Sequence, residues 1–325
     1  MTANLAMAVL LGVPRSPRLS VLAYHRILPE HDPLLSAAPS AQEFEHRMHW
    51  VKANFDVLPL SEAARALREN RLPKRALSIT FDDGYADNYN VAAPILLRLG
   101  LAATFFVATG FLDGGCMFND VVIEALRCAG GAELDLDDLG LGRHPLGDPT
   151  QRAGAIDRIL ARLKYFETER RRRAALEVAR RAGSRVPADL MMTSEQVRSL
   201  HAAGMEIGAH TVTHPILAEI PLGRARHEMA ASRARLEQIV GAPVRLFAYP
   251  NGSPRRDYHA EHAALARELG FTAAVSTAAV STAWGAARAG DDLYQIPRFT
   301  PWDRADWRFG LRLAHNAMRS DYARA

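Results

Sequence analysis

SITFDDGYADNYN, residues 78–90, runs from β-branched and aromatic side chains straight into two adjacent carboxylates, Asp82 and Asp83, and then a glycine. An apolar run of that composition reads as a buried strand, so both acids stand at its C-terminal end. Like charges this close repel and shift each other's pKa, and keeping both requires a proton or a cation between them. A metal ion is the simplest candidate.

Outward from this stretch, short β-rich runs alternate with segments of helical spacing, the pattern of a βα-repeating fold. Strands are predicted at 19–25, 55–60, 77–83, 103–109, 205–211, 244–250, 271–277 and 293–299, a barrel-sized set. Ser40 with Glu43, and Thr193 with Gln196, have the spacing of capping boxes that open helices. Gly100, Gly204, Gly241 and Gly270 each close a helical stretch just before a strand. Residues 114–190 break the rhythm and are predicted to form a helical insertion beside the barrel: NDVVIEALRCAG, a polar loop with Asp135, Asp137 and Asp138, then a long Arg-rich helical stretch. The run Arg170 to Arg173 reads as a solvated helix face, with an anionic lipid or polymer as the competing reading. A C-terminal helix is expected within 303–325.

At 325 residues, with 48% hydrophobic and 23% charged side chains, the chain has the composition of a globular protein, read as one domain over 1–325 that contains the insertion. The 40 Lys and Arg exceed the 36 Asp and Glu by too little to imply a nucleic-acid partner. Cys116 and Cys128 match no zinc-ribbon or redox spacing and read as free, partly buried thiols. The apolar run Leu5 to Val13 has no Lys or Arg before it and is too short to span a membrane. A cytoplasmic chain is the expectation; the alternative is a short interfacial helix giving peripheral membrane contact.

A second chemical cluster is EIGAHTVTHPIL, in which His210 ends a strand-like segment and His214 falls in the turn after it. Two histidines and a carboxylate make a three-ligand set that leaves a coordination position open for water. A third is LFAYPNGSP, with Tyr249, Pro250, Asn251 and Gly252 at another strand-to-loop junction. It reads either as a plain turn or as a stiff loop presenting a backbone N–H to a developing oxyanion. The C-terminal strand ends form the active face of a parallel barrel, and His25, Asp82, Asp83, His210, Tyr249 and Arg298 all fall at such ends.

Together TFDDG (80–84), HTVTHP (210–215) and AYPNG (248–252) resemble the three motifs of the polysaccharide deacetylase family, the NodB-homology or carbohydrate esterase family 4 group, over about residues 19–114 and 190–300. The resemblance implies a distorted (β/α) barrel of parallel strands that removes acetyl groups from N-acetylated sugars with a divalent metal, most simply Zn2+, with Co2+, Ni2+ or Fe2+ fitting the same ligands. It places the metal ligands on Asp83, His210 and His214, the general base on Asp82, and an oxyanion-holding N–H on Asn251. Ala248 stands where the family's third motif has an arginine that steadies the base, and Arg298 is the candidate replacement. Arg298 also stands where the family usually supplies an acid histidine; the LAYHRI stretch places His25 in that role, as in the branch with an early YHR histidine. Trp284 and Trp302 are the aromatics nearest a fourth motif that has no clear match. An acetylated glycan is the implied partner. The competing readings are an O-acetyl esterase, a two-histidine, one-carboxylate iron oxygenase, and a catalytically weak glycan-binding protein that keeps the fold.

Overall fold

In the computed structural model the residues described are 17–277, 285–303, 305–319 and 322–325. Seven strands form one parallel sheet: β1 (Leu19–Tyr24), β2 (Asp56–Val57), β3 (Ala76–Phe81), β4 (Thr104–Val107), β7 (Glu206–Ala209), β8 (Leu246–Ala248) and β9 (Ala273–Val275). Spatial order is β1-β3-β4-β7-β8-β9, with β2 beside the start of β3. The sheet curls until its two edges meet across one further segment. Ile296 pairs with β9 and Phe299 with β1 through single parallel bridges. This segment, expected as an eighth strand over 293–299, is instead a 3-10 turn at Leu293–Gln295 followed by the two bridges. The Asp292 carboxylate accepts from Tyr294 N and fixes the turn, and Pro297 has no N–H with which to continue a ladder.

Period-two alternation divides the strand side chains between two cores. Leu22, Tyr24, Ile79, Phe81, Phe105, Ile207 and Phe247 face outward against the helices α1 (Ala41–Asn54), α3 (Ala93–Leu99), α7 (Ser194–Ala202) and α8 (Leu222–Val240). Val21, Phe106, Ala248, Val275 and Ile296 fill the interior, joined by Leu60, Ala63 and Leu67 of α2 (Leu60–Arg68). Phe106 fits there because its register partner is Gly208, where an added Cβ would lie 2.3 Å from the ring. The helix starts and stops follow the caps read from sequence: both capping boxes form, and Gly100, Gly204, Gly241 and Gly270 take positive φ.

The insertion is not purely helical. It comprises α4 (Phe118–Cys128), an antiparallel hairpin of β5 (Glu133–Leu136) and β6 (Gly142–Pro145), then α5 (Pro149–Leu163) and α6 (Thr168–Arg181). The stretch expected as a polar loop becomes β5 because Leu134 and Leu136 alternate inward between exposed acids. These elements enclose a core of their own, built on Val122, Leu126, Ile159, Leu163 and Val178. Two more helices complete those of the described residues, α9 (Ala260–Glu268) and α10 (Asp306–Met318), the latter within the expected C-terminal range. Cys116 and Cys128 are free thiols, but Cys128 is exposed rather than partly buried. Among the described residues no helix is long and apolar enough to cross a membrane. The apolar run at 5–13 and Trp284 lie outside the described residues.

Candidate metal and hydrolytic centre

β3 and β1 run in register to Phe81 and Tyr24, and the next amide, Asp82 N, donates to Tyr24 O at 2.9 Å. The ladder thus carries the first carboxylate to the rim before the chain turns. Asp83 adopts φ 75° and Gly84 φ 89° to make that turn, and Asp83 O accepts from Ala108 N beyond β4. His210 likewise follows β7, its N–H bonded to Val107 O at 3.2 Å. Asp83, His214 (φ 52°) and Asn251 (φ 58°) are all non-glycine residues in the left-handed region. Such backbone costs on the order of 1 kcal/mol or more each and gathers at functional sites.

Asp82 is buried and gripped by Arg298, whose Nη1 and Nη2 donate to its two oxygens at 2.6 Å each. Every donor of this buried guanidinium is used: Nε bonds Ser276 O, Nη1 also reaches Thr80 Oγ1, and Nη2 reaches Thr277 Oγ1. Burial pushes the Asp82 pKa up, but the Arg298 charge, His210 and the paired hydrogen bonds outweigh it and hold the carboxyl below its ordinary value. His25 lies on the same rim with Nε2 3.9 Å from Asp82 Oδ2 and its side chain half exposed.

Asp83 has different partners. Its Oδ1 is buried with no hydrogen-bond partner and faces His210 Nε2 and His214 Nε2 at 3.4 Å each. One donor atom from each of these three residues lies within 4.8 Å of the others. His210 Nδ1 sits 2.8 Å from Ala248 O, which can only accept, so Nδ1 carries a proton, and Nε2, which faces the carboxylate, offers it a lone pair when the ring is neutral. Lone pair against carboxylate oxygen is repulsive unless a positive charge lies between them. The donor set therefore fits a divalent cation, and two nitrogens with one oxygen suit zinc or a neighbouring transition metal. Without a cation a proton takes that place: burial opposes charge on His210, yet Asp82 and Asp83 together hold its pKa above the ordinary imidazole value. Burial, His210 and Arg171 push His214 down to about 4 despite Asp83 beside it.

His25, Asp82, Asp83, His210, His214 and Asn251 all line one cavity of about 350 Å3, with Arg298 directly behind Asp82. All seven candidates from the sequence are therefore at one place. The Asn251 N–H makes no hydrogen bond among the described residues. Its loop is held tightly: Gly252 N donates to Pro250 O, and a Cβ on Gly252 would lie 2.8 Å from Thr277 N. Tyr249 is not in the site; it is buried, stacked on Tyr258 at 3.9 Å, with its hydroxyl on Tyr294 O. Trp302 lines a wider neighbouring cavity of about 570 Å3 and stacks on Arg312.

Sequence reasoning missed the groups that hold these side chains. Glu228 of α8 is buried and accepts from Val212 N, Thr213 N and Thr213 Oγ1, fixing the loop between the two histidines. The signal was a glutamate on the helix face shared by Ala225, Met229, Ser232 and Leu236. Asp87 and Asn88 fix the loop of His25: Asp87 accepts from Arg26 Nε and Ile27 N, and Asn88 Nδ2 donates to His25 O at 2.7 Å. Both stand in the opening stretch of sequence, where nothing in their spacing marks them as partners of the His25 loop.

Comparison with known proteins places this arrangement. PplD of Streptococcus pyogenes, a deacetylase solved with acetate, superposes with a TM-score of 0.61 at 21% identity, covering 92% of this chain and 99% of that one. IcaB of Ammonifex degensii gives 0.58 at 20% identity, over 92% and 97%. At those identities the likeness establishes the fold, the curled α/β sheet of deacetylase structures. YxkH of Bacillus subtilis, which carries a polysaccharide deacetylase name, is 37% identical over 92 residues; the match spans 28% of this chain and 32% of that relative. The sequence profile described as polysaccharide deacetylase matches residues 69–134 and 164–274. It reaches into the insertion from both sides, further than the motifs alone suggested, and on that extent of match the chain belongs to the polysaccharide deacetylase family.

Proposed function

We propose that this protein hydrolyses N-acetyl groups on a polysaccharide or glycan precursor, with Asp83, His210 and His214 holding a divalent cation, zinc by preference. The observation that carries the reading is the pair of adjacent carboxylates given opposite surroundings, one clamped by an arginine and the other facing the Nε2 atoms of two imidazoles. A cation there supplies Lewis acidity, polarising the acetyl carbonyl and acidifying water. Asp82, ionised and immobilised by Arg298, accepts the proton that the attacking water gives up. The Asn251 N–H donates to the oxygen that becomes negative in the tetrahedral intermediate. His25 gives a proton to the departing nitrogen as the C–N bond breaks, leaving acetate and a free amine. Arg298 is a positioning residue, acting through Asp82.

The non-catalytic reading rests on the missing arginine at Ala248 and the displaced acid histidine; the bidentate clamp from Arg298 answers the first, and His25, with Nε2 3.9 Å from Asp82 Oδ2, supports an answer to the second. The oxygenase reading leaves a second, arginine-clamped carboxylate without a task. The test is acetate release by metal-stripped protein from N-acetylglucosamine oligomers and from O-acetylated sugars, with and without zinc, cobalt or nickel. Release restored by metal from the amide substrates is expected. Release from O-acetyl sugars alone would make the enzyme an esterase, and no release from folded, metal-loaded protein would overturn the hydrolase.

A further inference from the structure

The four arginines 170–173 have different surroundings. Arg170 stacks on Phe166 at 4.2 Å, Arg172 lies 4.0 Å from Glu169, and Arg173 is exposed. Arg171 alone is buried, 6% exposed, with its guanidinium over Phe118 at 4.5 Å and Nη1 on Lys164 O at 3.2 Å. Among the described residues no carboxylate makes a hydrogen bond or ion pair with it, and the charge of Glu167 reaches it only from beyond that range. Other buried arginines have such a partner: Arg298 has Asp82, and Arg47 has Asp306 at 3.7 Å. A buried guanidinium without a counter-ion is costly, so its retention asks what anion completes it.

Its place gives the answer. Arg171 and Lys164 line the same cavity as Asp83, His210 and His214. A second cavity of about 340 Å3 shares Lys164 and Arg171 but adds Arg224 together with Glu167 and Glu219, so the unbalanced positive charge is on the side of the hydrolytic cavity. Both cations come from the insertion, so they belong to the wall facing the hydrolytic centre and not to the barrel that builds it. An uncharged N-acetyl sugar has no use for them.

We infer that the substrate carries an oxyanion, a phosphate ester or a sugar carboxylate, close to the acetamide, and that Arg171 with Lys164 binds it. This rests on the deacetylase reading and narrows its substrate class. A guanidinium fork suits either oxyanion, and a charge-assisted pair in a partly dry cavity favours the charged ligand by about tenfold or more.

The test is calorimetric binding of N-acetylglucosamine, N-acetylglucosamine 6-phosphate and N-acetylmuramic acid to the full chain, zinc-loaded and metal-stripped. The metal-stripped arm separates binding of the anion by the guanidinium from binding by the cation. At least one anionic sugar is expected to bind about tenfold more tightly than the neutral one, and the tighter of the two identifies phosphate or carboxylate. That ratio falls to near one in Arg171→Met, drops in Lys164→Gln, is partly kept in Arg171→Lys and is unchanged in Arg173→Met. A purely structural arginine would weaken all three ligands alike. A ratio near one in metal-stripped wild type, or a ratio unmoved by Arg171→Met, overturns the inference. Acetate release from neutral oligomers separates the two claims: release with no anion preference sinks this inference alone, and an Arg171-dependent preference without release sinks the hydrolase alone.

Discussion

A carboxylate buried without a partner costs several kcal/mol, and Asp82 and Asp83 avoid that cost by different routes. Asp82 spends its charge on the Arg298 fork, while Asp83 turns an unbonded oxygen toward two imidazoles. The roles separate under mutation. Asp82→Asn keeps every donor of the cation site and should retain zinc by elemental analysis while turnover falls about 100- to 10,000-fold, the usual range for a lost general base. His214→Ala removes a donor, so zinc occupancy and turnover should fall together. Arg298→Met tests the clamp. Leaving Asp82 buried and unpaired should cost about 3–5 kcal/mol in denaturant unfolding. In the protein that remains folded, loss of the guanidinium charge raises the Asp82 pKa. The base must be ionised to work, so the acidic limb of the pH–rate profile should move to higher pH. An unmoved limb would mean that Arg298 does not act through Asp82.

The elements deliver these side chains through strand ends, but short loops set their final aim. His214 is placed by the 211–214 turn, and that turn hangs on Glu228, whose carboxylate takes three hydrogen bonds of 2.7–2.8 Å from the loop. Glu228→Ala should lower stability by on the order of 1–3 kcal/mol, because two amides lose their acceptor. It should also weaken zinc binding about 10- to 100-fold, as loss of a ligand's support commonly does. Loss of stability with zinc affinity intact would leave Glu228 a purely structural anchor. The same contrast explains what was legible beforehand. Asp82 with Asp83, and His210 with His214, are close in sequence and announce themselves by spacing. Glu228 meets Val212 across 16 residues, a contact that only the fold creates, and Arg298 meets Asp82 across 216, a pairing that only the family resemblance suggested. Strands β1, β3, β4 and β8 were legible because both their faces are buried, whereas β5, with alternate residues exposed, read as a polar loop. The 293–299 segment was misjudged because its composition is that of a strand, while Pro297 and the Asp292 cap decide its hydrogen bonding.

At the scale of the molecule, two cores meet along a polar seam beside the site. On the insertion side stands Asp120 of α4, almost fully buried; on the barrel side are Tyr85, whose hydroxyl lies 3.1 Å from Asp120 Oδ2, and Arg26, held by Asp87. Burial, with the negative charge of Asp83 nearby, pushes the Asp120 pKa up to about 7 although Arg26 pulls the other way. The folded state thus holds this proton more tightly than the unfolded chain, where a carboxyl titrates near its ordinary value. Stability is therefore complete below about pH 4 as far as this group is concerned, and is lost progressively as pH rises from there through about 7. Asp120→Asn keeps the polar contact to Tyr85 and removes the titration. Metal-stripped wild type and variant should unfold alike in denaturant near pH 4. The variant should then gain a growing advantage up to about pH 7, on the order of a few kcal/mol. An advantage independent of pH would mean that Asp120 keeps an ordinary pKa, and that the seam between insertion and barrel is wetter than its burial implies.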